Sequence, residues 1–438
     1  MEIKESAQAP AYNRNRSMHR LSREKLLSSH RLAKANYQLS PDRLPRLTLS
    51  PLPPIPQGDR VMDSCFRYFA GREVPDFGQW KALLGIWAPI MKNTPQRSDY
   101  HAEGNVLIHT EMVCNAMTHL EAFQKAAPEK KALFYLSALF HDIGKPLTTE
   151  IAWDGIHSPG HARVGTDLAR PILWQKLGLN GSMEKLLFRE HICSLIRFHS
   201  LPPQAYSDPD AGIKLIRASS DGILIPGVKL RDLCILSEAD VRGRISFDQE
   251  QLVKNVDTCR NMARELGCFD SPYRFPSDYA RYAALTGIRQ DVKNNPQVLM
   301  VSGLPGTGKE AWIRDHGPDL PMISLDAIRR ERKLSFGEDQ APVLARGREL
   351  ALEYLRKKQG FIWVAPNLTQ PVRQNQVRLF RDNGASVKLL YLDTDWDNLL
   401  RRNARREDGL TEEALLRLRD LLSPPTIKEA HRVEWECI

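Results

Sequence analysis

The sequence predicts a multidomain protein in which an all-α domain is followed by an α/β domain with a parallel sheet. The first observation is that apolar residues recur every three or four positions between about residues 80 and 266, which is the period of helices. The second is that short apolar segments alternate with helical patterns after residue 296, an order typical of parallel α/β sheets. Pro, Asp, Ser and aromatic residues cluster between these regions, around residues 269–276.

Length and composition set limits on the class of protein. The chain has 438 residues, 42% of them apolar and 26% charged, which is enough for two or three globular domains with buried cores. Its seven cysteines include no Cys-x-x-Cys pair, which favours a reducing compartment and argues against structural zinc. There is no apolar run of about 18 to 20 residues and no apolar core of a signal peptide. We therefore expect a soluble, cytoplasmic protein.

The net charge of +9 is concentrated at the start of the chain. Residues 1–60 contain 11 Lys and Arg residues against 5 Asp and Glu residues, together with many Ser and Pro residues. Such a segment could bind RNA phosphates or form a solvated tail, and its composition favours the tail. The expected organisation is a basic, Pro-rich tail and linker (1–60), a helical domain (61–268), a linker (269–296) and an α/β domain with a lid (297–438).

The strongest motif of the helical domain is a His-Asp pair at a helix end. The segment 132–145, ALFYLSALFHDIGK, is an apolar helix that closes in His141 and Asp142. Gly144 and Pro146 stop the helix just after this pair, so both side chains could point at one ion. Imidazole and carboxylate ligands suit Mn, Fe, Co, Ni or Zn better than Mg. Further candidate ligands on predicted helices are His109, His161, His199 and Asp240.

This order of motifs resembles the HD phosphohydrolase superfamily, and the segments HDIGK and EADVRGR are similar to HD domains attached to tRNA nucleotidyltransferases and RNA-repair proteins. The resemblance implies one metal site made of the residues His109, His141, Asp142 and Asp240. It implies a second site with His161 and His199, in which Asp142 bridges the two ions. Lys145 would then contact a substrate phosphate as a point charge.

The alternative is that these histidines are separate residues of the core or surface. Four other histidines fit the ligand pattern less well, and we expect them to lie around the ligands or on the surface: His101, His119, His157 and His191. His101 still lies close in sequence to His109.

The α/β domain begins with a phosphate-binding motif. Residues 298–316, VLMVSGLPGTGKEAWIRDH, read as a strand, a Gly-rich turn and a helix, and the turn matches G-x-x-x-x-G-K. Its backbone N–H groups would surround a phosphate, and Lys309 would reach the β and γ phosphates. Glu310 stands where the motif has a Ser or Thr that helps hold Mg²⁺, so its carboxylate could either bind the ion or repel the nucleotide. The predicted nucleotide-binding residues are Gly303, Gly306, Thr307, Gly308, Lys309 and Glu310.

Three further strands are predicted, at 322–325, 361–365 and 387–392. The first of these leads into ISLDAIRRE, where Asp326 and Arg329 share one helix face. The last leads into LDTDWDNLLRRNARRE, which places Arg402 and Arg406 four residues apart in a predicted lid. An Arg-rich helix is also compatible with a solvated surface.

This series resembles the 5′-OH polynucleotide kinase family. The resemblance implies that Asp326 is the general base and that Arg329 contacts a substrate phosphate. It also implies that Arg402 and Arg406 stabilise the phosphoryl group in transfer, where charge develops.

The order of the two domains, over about residues 75–425, resembles bacterial fusions of an HD phosphohydrolase with a polynucleotide kinase. The resemblance implies an RNA end-healing enzyme that removes 2′,3′-cyclic phosphate or 2′-phosphate ends and phosphorylates 5′-OH ends. The implied cofactors are a divalent transition metal in the HD site and Mg or Mn with ATP or another NTP in the kinase site. The implied partners are RNA or DNA ends, the NTP and a downstream RNA ligase, with no membrane.

Two alternatives remain open. The chain could join an HD nucleotidase to a small-metabolite kinase, which would keep both enzymes and change their substrates. It could instead be an HD phosphohydrolase regulated by a degenerate P-loop that binds nucleotide without transferring phosphate.

Overall fold

The computed structural model describes residues 60–71, 74–290, 294–334 and 338–438. The predicted tail lies outside the described residues, except for its last position. The helical and α/β regions belong to one compact unit. Among the described helices, none is both long and apolar enough to cross a bilayer.

The first region is built of helices around one apolar core. Several helix boundaries follow from local chemistry. The Asn105 side chain accepts hydrogen bonds from the backbone N–H groups of Leu107 and Ile108 and starts one helix, and Gly178, at φ +59°, ends another. The helices are α1 (Arg60–Ala70), α2 (Phe77–Trp80), a 3₁₀ helix (Lys81–Leu84), α3 (Trp87–Lys92), α4 (Val106–His119), α5 (Glu121–Gln124), α6 (Pro128–Phe140), α7 (Lys145–Thr148), α8 (His161–Leu177), α9 (Met183–Phe198), α10 (Leu201–Gln204), α11 (Ala211–Ser219), α12 (Asp221–Leu224), α13 (Leu230–Arg242) and α14 (Gln249–Glu265).

One feature of this region differs from the all-helical prediction. A short antiparallel hairpin, β1 (Glu150–Ala152) and β2 (Gly155–His157), lies between α7 and α8. Its strands have three residues each, and β1 is exposed throughout, so the sequence carries no apolar alternation that would reveal it.

The second region is an α/β domain with a five-stranded parallel sheet in the order β4-β5-β3-β6-β7. Alternate residues of β3 enter different cores: Val298 and Met300 pack on one face, and Leu299 and Val301 on the other. The predicted fold class is confirmed. The elements are β3 (Gln297–Ser302), α16 (Lys309–His316), β4 (Met322–Ser324), α17 (Leu325–Glu331), α18 (Ala341–Arg356), β5 (Phe361–Val364), α19 (Gln370–Asp382), β6 (Ser386–Asp393), α20 (Trp396–Ala404), α21 (Glu412–Leu421) and β7 (Arg432–Cys437).

Two elements of this second part were absent from the sequence prediction. Helix α15 (Asp278–Thr286) lies inside the stretch interpreted as a linker, and its Leu285 packs into the core of the sheet domain. Strand β7 pairs with β6 at the edge of the sheet. Its sequence alternates charged and apolar residues and follows Pro-rich segments, which obscured the strand pattern.

The helical region packs directly against the α/β region. Trp174 and Leu186 share an apolar cluster with Leu304 of the Gly-rich turn and Leu399 of α20. Helix α20 begins beside this contact, because the side-chain oxygen of Asn180 accepts a hydrogen bond from the backbone N–H of Trp396 at 3.2 Å. The lid predicted for the kinase site therefore rests on the helical domain.

Candidate functional site

The six predicted metal ligands converge from five helical segments. His109 lies on α4 and Asp240 on α13, although 131 residues separate them, and their side chains are 3.1 Å apart. His141 and Asp142 follow the end of α6, where the structure buries both side chains. The remaining two ligands stand at helix ends, His161 at the start of α8 and His199 just after α9.

The backbone fixes the tautomer of these imidazoles. The Nδ1 atoms of His141, His161 and His199 lie 2.7 to 2.8 Å from backbone carbonyl oxygens of residues three positions earlier. The Nδ1 atom of His109 lies 3.2 Å from the carbonyl oxygen of Gly243. A carbonyl oxygen only accepts hydrogen bonds, so each Nδ1 carries the proton and each Nε2 presents a lone pair. This is the arrangement of histidines that bind metals.

The Nε2 atoms face one another in two pairs, His109 with His141 and His161 with His199, each at 3.3 Å. Two lone pairs at this distance have no proton to share, whereas a cation beside both would bind them. Burial lowers the pKa of His199 to about 3, which keeps that imidazole neutral and able to act as a ligand.

Asp142 lies between the two pairs. Its Oδ2 is 3.6 Å from His109 Nε2 and 3.3 Å from His141 Nε2, and its Oδ1 is 3.5 Å from His161 Nε2 and 3.7 Å from His199 Nε2. Oδ1 is buried and has no hydrogen-bond partner among the described residues. Burial would raise the pKa of Asp142, but Lys145 and His141 hold it well below its usual range. A permanently charged carboxylate with an unpaired oxygen fits a bridging ligand for two divalent ions.

Cationic side chains border this cluster. Lys145 Nζ lies 2.6 Å from Asp142 Oδ2 and donates to Gln96 Oε1, also at 2.6 Å. Arg244 Nη2 donates to Asp240 Oδ1 at 2.7 Å. Both cations line a cavity of about 470 Å³ that opens beside His161. The cavity can therefore receive an anionic group next to the metal ligands.

Sequence reasoning did not single out three of these neighbours, Gln96, Glu103 and Arg244. Glu103 lies 2.8 Å from His101 Nδ1 and 3.0 Å from His109 Nδ1, so it links the segment HAEGN to a predicted ligand. Arg244 ends the quoted segment EADVRGR, four residues after Asp240, and this spacing was the available signal.

Three of the histidines that fit the ligand pattern less well lie apart from the six predicted ligands, whereas His101 groups with Glu103 and His109. His119 is exposed at the end of α4, and the buried His191 is 3.4 Å from Asp232. His157 borders the cavity, where its Nε2 lies 3.1 Å from Asp154.

The Gly-rich turn of the α/β domain has the backbone of a phosphate cradle. Gly303, at φ +154°, follows β3, and a Cβ there would meet the carbonyl oxygen of Leu392 at 2.6 Å, so a side chain is excluded. The Lys309 Nζ donates to the carbonyl oxygens of Gly303 and Leu304, both at 2.9 Å. Burial lowers the pKa of Lys309 to about 8, against the opposing charge of Asp326.

Three other predicted residues of the turn are Thr307, Gly306 and Gly308. The Thr307 hydroxyl donates to the carbonyl oxygen of Leu304 at 2.9 Å. Gly306 and Gly308 both have positive φ, and both line the cavity of about 670 Å³ above Lys309.

The predicted acid and arginines meet at this same cavity. Asp326 lines it, and its carboxylate accepts hydrogen bonds from Arg329 and, at 3.2 Å, from Arg406. Burial would raise the pKa of Asp326, but the Arg329 hydrogen bond and the charges of Lys309 and Arg406 lower it. Arg402, on α20, donates to the carbonyl oxygen of Thr307 at 2.7 Å. Arg329 is nearly buried and also donates to Gln340.

Glu310 lines the same cavity at the start of α16. Its Oε1 accepts a hydrogen bond from the Ser324 hydroxyl at 3.2 Å. The carboxylate is thus held at the end of β4, next to Asp326, where a nucleotide-bound cation would lie in a P-loop site.

Comparisons with known proteins agree with these two regions. A family model described as HD domain matches residues 105–242, and one described as AAA domain matches residues 298–425. The chain therefore combines an HD domain with a P-loop domain, and the predicted pairing of these domains is confirmed.

Similar proteins include two named Multifunctional CCA protein. The protein of Xanthomonas campestris pv. campestris (strain B100) is 28% identical over 183 residues, which are 41% of this chain and 39% of the relative. That of Xylella fastidiosa (strain M23) is 27% identical over 180 residues, 39% of this chain and 38% of the relative. The chain thus spans about two fifths of the length of these relatives. A solved gluconokinase structure from Sinorhizobium meliloti 1021 is 20% identical, with a TM-score of 0.24, over 33% of this chain and 83% of that one.

Proposed function

We propose that this chain is a bifunctional RNA end-healing enzyme. Its HD site would hydrolyse 2′,3′-cyclic phosphate or 2′-phosphate ends, and its P-loop site would transfer the γ-phosphoryl group of an NTP to a 5′-OH end. The observation that carries the proposal is the presence, in one chain, of a His-Asp cluster that fits two divalent ions and a phosphate cradle that faces a carboxylate. Both sites handle phosphate esters, and the two ends of a cleaved RNA strand require these two reactions.

In the HD site, the histidines and aspartates described above would hold the ions. A divalent ion bound there would act as a Lewis acid on the phosphate and would lower the pKa of a bound water molecule towards neutral pH. Lys145 and Arg244 would exchange part of their contacts with Asp142 and Asp240 for phosphate oxygens. Water would add to phosphorus, the bond to one ribose oxygen would break, and a proton would return to that oxygen. A cyclic end would then become a phosphomonoester, and a 2′-phosphate end would release inorganic phosphate.

In the P-loop site, Lys309 and the backbone of the turn would bind the β and γ phosphates. Asp326 would orient the attacking 5′-OH and accept its proton as the bond from the γ-phosphorus to the β-γ bridging oxygen breaks. Arg402 and Arg406 line the cavity from the lid and would stabilise the negative charge of the phosphoryl group. Arg329 would hold the Asp326 carboxylate in position or reach a phosphate of the nucleic acid.

One substrate tests both halves of the proposal. The protein is incubated with Mn²⁺, ATP and an RNA oligonucleotide that carries a 5′-OH and a 2′,3′-cyclic phosphate, and each end is followed separately. We expect loss of the cyclic phosphate and gain of a 5′-phosphate. No change at either end would refute the end-healing function and would direct the search to nucleotides and metabolites.

A second candidate function is favoured by Glu310. A carboxylate in place of the expected hydroxyl, hydrogen-bonded to Ser324, could prevent the cation of the nucleotide from binding, so that the P-loop regulates the HD site without catalysis. Under this alternative the wild-type protein would lack kinase activity, and Glu310→Ser would create it. If wild-type protein phosphorylates 5′-OH ends and Lys309→Ala abolishes that activity, the regulatory alternative is excluded.

A further inference from the structure

Three aromatic side chains are exposed near the mouth of the HD cavity. Trp153 is 92% exposed, Phe247 86% and Tyr100 38%. Large apolar side chains normally lie in cores, and a cluster of exposed ones marks a binding surface. They belong to separate segments of the chain: Tyr100 lines the cavity, Phe247 pairs with Tyr100, and Trp153 stands on a hairpin that borders the cavity.

Tyr100 and Phe247 lie on two loops that are joined to each other. The backbone N–H of Ala102 donates to the carbonyl oxygen of Ile245, and the backbone N–H of Ile245 donates to Glu103, both at 2.9 Å. The ring centroids of Tyr100 and Phe247 are 6.4 Å apart, with an angle of 33° between the ring planes. Glu103 also contacts His109, so the aromatic pair is fixed relative to the predicted metal ligands.

Trp153 lies in the turn of the β1–β2 hairpin. This hairpin borders the cavity, because His157 at the end of β2 lines it. The side chain of Arg97 connects the hairpin to Tyr100: its guanidinium carbon is 5.1 Å from the centre of the Tyr100 ring, and it packs against Gly155. Arg97, Tyr100 and Phe247 thus form one part of a rim at the cavity, and the hairpin that bears Trp153 borders the cavity next to Arg97.

The charges beside this rim indicate what binds to it. Arg97, Lys145 and Arg244 line the cavity together with His161, one of the predicted metal ligands. Single-stranded nucleic acids bind to surfaces that combine cations for the phosphates with aromatic rings and arginines on which bases stack. A small phosphate ester without a base would use the cations but would leave the exposed rings without a partner.

We propose that Tyr100, Trp153 and Phe247 form a stacking platform for the unpaired bases next to the terminal phosphate of a single strand bound in the HD cavity. The platform rests on the proposed phosphohydrolase function of that cavity and specifies its substrate as an unpaired strand end. Stacking positions the terminal phosphate over the metal ligands without reading the sequence, because every base offers a ring face.

The test compares two oligonucleotides that end in a 2′,3′-cyclic phosphate, one with ordinary bases and one with abasic sites at its last three positions. The variant is the double substitution Trp153→Ala and Phe247→Ala. The matched control is Tyr206→Ala, an exposed tyrosine that follows α10, a segment of the same domain with no residue in the cavity lining. We expect the double substitution to lower kcat/KM by about tenfold on the strand with bases. On the abasic strand it changes nothing, and Tyr206→Ala changes neither. Equal effects of the double substitution on both strands, or no effect on either, would overturn the platform.

A binding measurement separates this inference from the proposed function. The affinity of each protein for both strands is measured by fluorescence anisotropy, and Trp153→Phe with Phe247→Tyr provides variants that keep aromatic rings. In one outcome, wild-type protein does not hydrolyse the end, and only the Trp153→Ala, Phe247→Ala double variant loses the preference for the strand with bases. The phosphohydrolase assignment then fails and the platform stands. If binding is the same for all variants, the platform is excluded whatever the hydrolysis result.

Discussion

The HD cluster and the P-loop site hold their functional groups in different ways. In the HD cluster each imidazole is fixed by a carbonyl oxygen at Nδ1, and the lone pairs of Nε2 point at one another. In the P-loop site the cations already have protein partners: Lys309 donates to Gly303 and Arg402 to Thr307. For the proposed functions, the first site already has the arrangement that an ion requires, whereas the second would have to exchange protein contacts for phosphate contacts.

Because of this difference, we expect different substitutions to impair each site. A pre-arranged ligand cluster loses its function when one central ligand is removed, because no other side chain can take the same place. A site that exchanges partners depends on the strength of each internal contact and on the charge of each cation. The effects of substitutions on activity should therefore differ between the two sites, both in size and in their dependence on pH.

The largest effect is expected from Asp142→Ala, which removes the carboxylate shared by both histidine pairs. Hydrolysis of the cyclic phosphate should fall at least about a thousandfold, and bound metal, measured by mass spectrometry, should fall with it. Kinase activity should stay unchanged. His119→Ala, an exposed histidine on α4, is the control and should behave as wild type. Equal loss of both activities would contradict two independent sites.

The next effect is expected from Asp326→Asn, which keeps the shape of the side chain but removes its charge. Phosphorylation of 5′-OH ends should fall by about 100- to 10,000-fold, the range for loss of a general base. Hydrolysis at the HD site should be unaffected. Asp315 lines the same cavity, so Asp315→Asn serves as the control. Retention of end phosphorylation in Asp326→Asn would remove this residue as the base.

Adjacent arginines of the lid provide a matched pair. Arg402 contacts the Gly-rich turn and lines the cavity, whereas Arg401 is exposed and pairs with Asn398. Arg402→Ala should lower kcat/KM for ATP by about 10- to 100-fold through lost stabilisation of the phosphoryl group. Arg401→Ala should have no measurable effect. Similar losses in both variants would mean that α20 acts through general charge alone.

The pH dependence of nucleotide affinity follows from Lys309. Burial lowers its pKa to about 8, so the ammonium that binds phosphate is present below that pH and is lost as the pH rises through it. The Kd for ATP, measured by calorimetry, should rise up to about tenfold for each pH unit above 8. Lys309→Arg keeps its charge over this range and should abolish the dependence. A flat profile in wild-type protein would show that Lys309 of the nucleotide-free protein stays charged over this range, so that its pKa is not lowered to about 8.

The smallest effect concerns the contact between the two domains. A Cβ at Gly181 would lie 2.5 Å from Cβ of Asp395, whose side chain caps α20, while a Cβ at Gly267 would meet nothing within 4 Å. Both glycines have positive φ, so Gly181→Ala and Gly267→Ala should each lower stability by about 1 kcal/mol. Only Gly181→Ala should also lower kcat/KM for ATP. We expect a loss of about fivefold, because this corresponds to about 1 kcal/mol, the free energy of a helix cap. Equal kinetics in both variants would make α20 independent of the helical domain.

The features that depend on residues close together in the chain could be predicted from the sequence. The helical period, the strand and Gly-rich turn before Lys309, and the His141-Asp142 pair at a helix end follow from local spacing, so the fold class and most candidate residues could be predicted. Local patterns carry this information because helix period, glycine conformation and chain stops act within a few residues.

The contacts between side chains of distant segments became known only from the tertiary structure. The pairing of His109 with His141 and of His161 with His199, the placement of Glu103 and Arg244, the exposed rim at Tyr100, and the contact of the helical domain with α20 all join distant segments. The short strand β1 and the charged edge strand β7 could not be predicted either, because their sequences lack a clear apolar alternation and their pairing depends on other segments. Such contacts depend on how whole helices and loops pack, and the energy of that packing is shared among many residues rather than encoded at any one position.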